Sequence, residues 1–125
     1  MPGIERFEEV EAWREARCLS QTVYRLTHTT AFAKDEGLCG QVQRAAVSIM
    51  ANIAEGFDSG SDREFLRFLR YALRSASELQ SHLYVALDQC YIAEESFGSV
   101  CGHILKVKSL IGGFARYLRM GKAGN

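Results

Sequence analysis

The chain has 125 residues, of which 47% are hydrophobic and 24% are charged, which is enough for one domain with a substantial core. Its 15 basic and 15 acidic residues balance, and this neutrality argues against strong nonspecific binding to nucleic acid. No apolar run approaches the ~18 residues of a membrane span, and the first residues lack a secretory signal pattern. We therefore expect a cytoplasmic protein without a membrane partner.

The first predicted helix covers residues 7–28. Apolar residues recur in it at intervals of three and four, which is typical of a helix with one buried face. Glutamates crowd its beginning, where negative charge favours the helix dipole. The apolar stripe consists of Val10, Trp13, Ala16, Leu19, Val23 and Leu26, and the glutamates are Glu5, Glu8, Glu9, Glu11 and Glu15.

The second predicted helix covers residues 35–55. We expect Gly56 to end it in the left-handed conformation, as a C-cap glycine does. A polar line lies close to the apolar line, and its side chains need partners if they are buried. We interpret the polar line as structural, with a ligand site as the alternative. The apolar line consists of Leu38, Val42, Ala45, Ile49 and Ile53, and the polar line of Gln41, Ser48, Asn52 and Glu55.

The third predicted helix covers residues 62–89 and the fourth covers 94–119. Ser61 and Glu64 form an S-x-x-E pattern that predicts a capping box at the start of the third helix. Glycines in the fourth helix predict close helix approach or a kink. The residues expected to face inward are Phe65, Phe68, Ala72, Ala76, Leu79, Leu83 and Ala86 in the third helix, and Phe97, Cys101, Ile104, Val107, Ile111, Phe114 and Leu118 in the fourth; the glycines are Gly98, Gly102, Gly112 and Gly113.

Four such helices joined by short connections predict an all-α, up-down-up-down antiparallel four-helix bundle in a single domain, residues 1–125. The four cysteines are widely spaced and form no C-x-x-C pair. We expect reduced thiols, with paired disulfides as the alternative. The cysteines are Cys18, Cys39, Cys90 and Cys101.

Four arginines repeat at 4-3-4 spacing on the third helix: Arg63, Arg67, Arg70 and Arg74. This spacing places four guanidinium groups on one side of the helix, and arginine binds phosphate groups with two hydrogen bonds. The stripe is therefore a candidate binding surface for nucleic acid or for another partner. The alternative is a solvated face, or one that pairs with glutamates of the first helix within or between subunits.

Signals for catalysis are weak. Glu78 and His82 are spaced i, i+4, and no second pair completes a di-metal bundle site. No phosphate-binding glycine loop, nucleophile elbow or zinc-ligand spacing occurs. We expect no enzymatic activity, no cofactor and no metal.

The segment from Gln41 to Gly56 resembles a family motif that reads Gln-aliphatic-x-Arg-Ala-x-x-Ser-Ile-x-x-Asn-Ile-Ala-Glu-Gly. The family includes proteins encoded in intervening sequences of large-subunit ribosomal RNA genes and the retroelement accessory variability proteins. The similarity covers about residues 5–118 and implies a four-helix bundle. Six motif positions have polar side chains or glycine and are expected to be structural: Gln41, Arg44, Ser48, Asn52, Glu55 and Gly56.

The resemblance also implies a ring-shaped homo-oligomer, most often a pentamer. Some strongly basic relatives associate with nucleic acid. This chain departs from them, since its pI is about 6.8 and the turn from Asp58 to Asp62 is acidic. Any nucleic-acid binding should therefore be weak.

Charge and apolar surface also favour self-association. Residues 1–62 hold 6 Lys/Arg and 10 Asp/Glu, whereas residues 63–125 hold 9 and 5. Tyr24, Leu66, Leu69 and Leu73 widen the apolar stripes beyond what one core requires, and large apolar patches mark interfaces. We predict a homo-oligomeric adaptor or assembly module that binds a macromolecular partner. The alternative is an RNA- or DNA-binding accessory protein that uses the arginine stripe.

Overall fold

The computed structural model describes residues 3–123, with side chains up to Gly121, and this part of the chain contains helices and no strand. A 3-10 turn at Phe7–Glu9 precedes the first long helix. The five α-helices are α1 (Glu11–Thr27), α2 (Thr30–Ala33), α3 (Glu36–Phe57), α4 (Asp62–Asp88) and α5 (Glu94–Ala123).

Contacts between the four long helices define a closed square in which each helix is antiparallel to both of its neighbours. Early residues of one helix meet late residues of the next around the whole square. This arrangement confirms the prediction of an up-down-up-down four-helix bundle. The contacts that show it are Thr27–Gln43 and Ser20–Met50 (α1–α3), Phe57–Phe65 and Ser48–Ser75 (α3–α4), Phe65–Phe114 and Tyr84–Phe97 (α4–α5), and, for α1–α5, Glu15–Lys106 together with the groove that Thr22 and Leu26 line with Glu95 and Ser96.

The core lies along the axis of this square and contains the apolar stripes that the sequence predicts. All five predicted residues of α3 are buried, and the inward residues of the other helices are buried or half-buried. Leu69 is also buried, at 1% exposure, so it belongs to the core of the single bundle. The argument that Leu69 widens the surface stripe was therefore wrong, whereas Leu66 and Leu73 remain half-buried.

The first helix begins at Glu11, four residues later than predicted. Val10 is extended, with φ −75° and ψ 120°, and its side chain is buried. The carboxylate of Glu9 accepts hydrogen bonds from the backbone N–H groups of Glu5 and Arg6, both at 2.9 Å. These bonds satisfy backbone donors just before the 3-10 turn, and the extended Val10 separates that turn from α1.

The connection predicted between the first two helices contains the short helix α2. Phe32 in α2 is fully buried and stacks on Tyr91, with ring centroids 5.4 Å apart. Tyr91 also donates a hydrogen bond to Asp35 at 3.0 Å. Asp35 caps α3 by accepting from the backbone N–H of Leu38. One aromatic contact thus joins the α1–α3 connection to the α4–α5 connection.

Gly56 does not have the role that the sequence suggested. It lies within α3, which continues to Phe57, and among the described residues the glycines with positive φ are Gly3 and Gly60. A Cβ at Gly56 would lie 2.8 Å from Cδ1 of Phe65 and 2.8 Å from Cβ of Phe68. The C-cap prediction was therefore wrong: glycine stands here because α4 approaches too closely for a side chain.

The start of α4 follows the prediction in part. The Ser61 hydroxyl accepts from the backbone N–H of Glu64 at 3.1 Å, which is the N-cap half of a capping box. The Glu64 carboxylate instead pairs with Arg67. The Ser61 cap thus fixes where α4 begins. The Glu64 carboxylate takes no part in the cap and instead forms an ion pair on the outer surface of the helix.

No other helix in the described part of the chain lies close to the four glycines of α5 named above. Added Cβ atoms at Gly98 and Gly102 would meet no heavy atom within 4 Å. At Gly112 and Gly113 the nearest atoms belong to the flexible side chain of Arg116, at 3.9 and 3.8 Å. The expectation of close approach was therefore wrong for contacts inside one subunit.

Candidate macromolecule-binding surface

The four arginines Arg63, Arg67, Arg70 and Arg74 are all exposed on the outer side of α4, and we call them the basic surface. Their positions follow from the Ser61 cap, which starts the helix just before Arg63, and from the helical repeat. The structure brings them together on one face, as their spacing predicts. An open groove of about 620 Å³ runs along Arg63, Glu64, Arg67 and Arg70.

Arg67 is held in place more firmly than a free surface arginine. Its Nε lies 2.7 Å from Oε2 of Glu64, and its NH1 donates to the Tyr71 hydroxyl at 3.2 Å. The guanidinium carbon lies 5.3 Å from the ring centre of Phe68 and 5.6 Å from that of Tyr71. The hydrogen bond with Glu64 raises the pKa of Arg67, so the side chain stays charged.

The other arginines keep their charge available. The guanidinium carbon of Arg74 also lies near the Tyr71 ring, 5.7 Å from its centre. Within the described part of the chain, no carboxylate oxygen lies within 4.0 Å of Arg63, Arg70 or Arg74. The alternative that the stripe pairs with glutamates of the first helix inside one subunit is therefore not what the structure shows.

Two residues of the polar line of α3, Ser48 and Asn52, are half-buried, and the other two are exposed. Ser48 exchanges a hydrogen bond with Ser75 of α4 at 2.8 Å, and Asn52 donates to the Ser48 hydroxyl at 3.0 Å and to its carbonyl at 2.8 Å. Through these contacts Ser48 bonds across to α4, and Asn52 bonds back to Ser48 within α3. Gln41 and Glu55 are exposed and do not join this network.

Arg44, the remaining polar motif residue, lies on the outer side of α3. Its guanidinium folds back over Gly40, where an added Cβ would lie 2.9 Å from NH1. A shallow groove of about 320 Å³ surrounds it. The groove is lined by Tyr24, Gly40, Gln43, Arg44, Val47 and Ser48.

A charged cluster between α1 and α5 was not predicted. Oε1 of Glu15 accepts from Nε2 of His103 at 3.0 Å and lies 3.5 Å from Nζ of Lys106. The hydrogen bond from His103 is the main reason why the pKa of Glu15 is lowered, and Lys106 adds to it. Glu15 and His103 are 88 residues apart in sequence. Sequence spacing therefore could not predict this contact, which results from the packing of α1 against α5.

The described part of the chain offers no cluster of side chains suited to a metal ion. No three His, Cys, Asp or Glu side chains lie close enough there to hold a metal ion. All four cysteines are free thiols, and burial raises the pKa of both Cys39 and Cys101. No helix among these residues is long and apolar enough to cross a bilayer.

The fold and its surface define the class: an antiparallel four-helix bundle with a basic surface on the outer side of α4. The chain belongs to the family described as 23S rRNA-intervening sequence protein, which matches residues 8–113. That assignment confirms the resemblance carried by the segment from Gln41 to Gly56.

Among solved structures, the chain is similar to a protein of unknown function from the S23 ribosomal protein family of Bacteroides thetaiotaomicron. The two share 22% identity with a TM-score of 0.76, over 83% of this chain and 97% of that chain. At this identity the similarity supports the fold alone. Comparison with curated proteins gave no match.

Proposed function

We propose that this protein is a non-enzymatic, cytoplasmic binding module that forms a homo-oligomer and holds a macromolecular partner on the basic surface of α4. The observation that carries the proposal is that all four guanidinium groups are exposed on one helix face, and that three of them have no carboxylate oxygen within 4.0 Å among the residues the structure describes. Arginine is enriched at the surfaces where proteins bind partners. An acidic face of a protein, or a phosphate backbone, has the complementary chemistry.

The homo-oligomer is supported by large apolar side chains that the single bundle leaves exposed. The family resemblance implies a ring of five subunits. Light scattering coupled to size exclusion should then give about five times the subunit mass of 14.0 kDa. A monomeric mass at micromolar concentration would overturn the oligomer. The exposed side chains are Tyr24, Val47, Tyr84, Val85, Leu105, Tyr117 and Met120.

To test the partner surface, Arg63→Gln and Arg70→Gln are combined in one variant, with Arg25→Gln as the control. Arg25 is exposed on α1, far from the basic surface along the chain. Partners that co-purify with the wild-type protein should be absent from the double variant and kept by the control. Equal recovery by all three proteins would show that the basic surface is not the binding site.

A second candidate is binding of RNA or DNA through the same surface. The observation that favours it is the stacking of Arg67 and Arg74 on aromatic rings, which holds planar guanidinium groups ready for phosphate oxygens. Because the whole chain is neutral, we expect weak binding at low salt that disappears near physiological salt.

Titration of labelled RNA and duplex DNA at two salt concentrations tests this second candidate. The Arg63→Gln, Arg70→Gln variant should bind more weakly, and its salt slope should fall by about one for each phosphate group that it no longer neutralises. Tight binding at high salt would make nucleic acid the principal partner. Absence of binding at both concentrations would reject nucleic acid and leave a protein partner.

A further inference from the structure

Helices α3 and α5 lie at diagonally opposite corners of the bundle, run parallel and keep a constant relative height. At one end, Asp35 before α3 bonds Tyr91 before α5, a separation of 56 residues. At the other end, the ring of Phe65 contacts both Phe57 and Phe114, which are 57 residues apart. Two copies placed side by side at equal height would therefore bring α3 of one copy level with α5 of the other in a known register.

The outer face of α5 is unpartnered within the subunit. Leu105 is 56% exposed there, and Gly98 and Gly102 leave open space where a side chain would stand. Glycine weakens an exposed helix, and an exposed leucine loses the benefit of burial. A helix that packs closely over this face would bury Leu105 and use the open space.

The outer face of α3 offers a matching depression at the same height. In this register each residue of α3 is level with the residue 56 or 57 positions later in α5. The segment from Gly98 to Leu105 is therefore level with residues 41–49 of α3. The 320 Å³ groove beside α3 occupies that height, between Gly40 and Ser48. Val47, which is 41% exposed, and Tyr24 give it apolar walls.

Charge complementarity selects a second copy of this chain as the occupant. Near its end, α3 exposes Glu55, and Asp58 follows directly after the helix. At the same height α5 exposes Arg116, whose guanidinium folds back beside Gly112 and Gly113. Each copy carries both the acidic and the basic half, on opposite corners, so the contact is heterologous and can close into a ring.

We propose that the outer face of α5 in one subunit packs in parallel against the outer face of α3 in the next, with Leu105 in the Tyr24–Val47 groove. This contact is the junction between subunits, and it rests on the homo-oligomer proposed above. Arg116 pairs with Glu55 or Asp58 of the adjacent copy, and the glycines let the two helices approach closely. The basic surface of α4 is outside the junction and remains available to a partner.

Two single substitutions test the two sides of the junction. Leu105→Glu removes the inserted side chain, and Val47→Glu places a charge in the groove. Both residues are exposed in the subunit, so helix content and thermal unfolding of the isolated subunit should be retained. Light scattering should show each variant at the subunit mass of 14.0 kDa. Val85→Glu, a control with 45% exposure on α4, should keep the wild-type mass.

Mixing the two variants tests whether the contact is heterologous. The Leu105→Glu variant keeps an intact α3 face, and the Val47→Glu variant keeps an intact α5 face. An equimolar mixture can therefore form one junction, so its mass should rise to that of a dimer and no further. If α5 instead paired with α5 of another copy, Val47→Glu would remain fully assembled, and the proposal would fail.

The outcomes separate this inference from the proposed function on which it rests. A monomeric wild-type protein overturns the homo-oligomer itself. An oligomeric wild-type protein whose mass is unchanged by both Leu105→Glu and Val47→Glu overturns only this junction. Loss of assembly in both variants, retention in Val85→Glu and dimers in the mixture support it.

Discussion

The α3–α4 and α1–α5 junctions lie on opposite sides of the bundle and join their helices by different means. At the α3–α4 junction, Gly56 lets the helix backbone approach Phe65 and Phe68. The Ser48–Ser75 hydrogen bond spans the same pair of helices with two of the smallest polar side chains. At Gly56 no room is left for a side chain, so this end of the junction depends on steric fit.

The α1–α5 junction uses longer, charged side chains at its rim. Glu15 reaches across to His103 and Lys106, and its side chain keeps 26% exposure. Contacts of this kind are screened by salt and respond to pH. We therefore expect substitutions that enlarge a side chain to destabilise the α3–α4 junction. Substitutions or pH changes that remove a charge should instead weaken the α1–α5 junction.

The largest expected effect comes from Gly56→Val. A Cβ at this position lies 2.8 Å from Cβ of Phe68, which cannot move without the α4 backbone. We expect a loss of about 2–3 kcal/mol in the free energy of unfolding, measured by urea denaturation. Gly37→Val is the matched control, because the nearest atom there is an oxygen of Asp35 at 3.9 Å. Equal effects at both positions would contradict the close-approach explanation.

A smaller effect should follow from Ser75→Ala. The substitution removes one partner of the Ser48 hydroxyl at the α3–α4 junction, so unfolding should become easier by about 1 kcal/mol. Ser77→Ala, an exposed position on the same helix, should change stability by less than about 0.5 kcal/mol. A double-mutant cycle with Ser48→Ala measures the coupling, and additive effects would show that the bond contributes nothing specific.

The smallest effect concerns Glu15→Gln at the α1–α5 junction. The pKa of Glu15 in the folded protein is below its ordinary value of 4.5, so the ion pair stabilises the fold above that pH. The contribution disappears as the pH falls through the lowered pKa. We expect the variant to be less stable by about 0.5 kcal/mol near neutral pH, and the difference to vanish in acid.

Urea unfolding of the Glu15→Gln variant at several pH values, with Glu11→Gln as the control, measures this contribution. The exposed Glu11 makes no ion pair among the described residues. A difference between wild type and Glu15→Gln that persists unchanged into acid would show that the carboxylate charge is not responsible.

Helix type and burial could be read from the sequence because they depend on local periodicity. The line from Leu38 to Ile53 repeats every three or four residues, and that spacing alone selects one face. The same rule placed the arginines of the basic surface on one side of α4. Local spacing therefore recovered the fold class and the candidate surface.

Features that depend on how two helices meet could not be read in this way. Glycine after an apolar run predicts a C-cap, but at Gly56 the approach of Phe68 from another helix decides its role. The pairing of Glu15 with His103 depends on the relative position of α1 and α5 along the bundle axis, which local spacing does not specify. The contact that buries Phe32 of the short helix α2 is with Tyr91, which is distant in sequence.

Because the bundle has an even number of long helices that alternate in direction, α1 begins and α5 ends at the same end of the bundle, which we call a pole. Val10 and the end of α5 both lie at this pole, together with the turn between Asp58 and Ser61. A fluorophore attached to an exposed residue at this pole, such as Glu8, would consequently report on the surroundings of Arg63. One attached at the opposite pole, where Phe32 stacks on Tyr91, would report instead on the two connections that meet there.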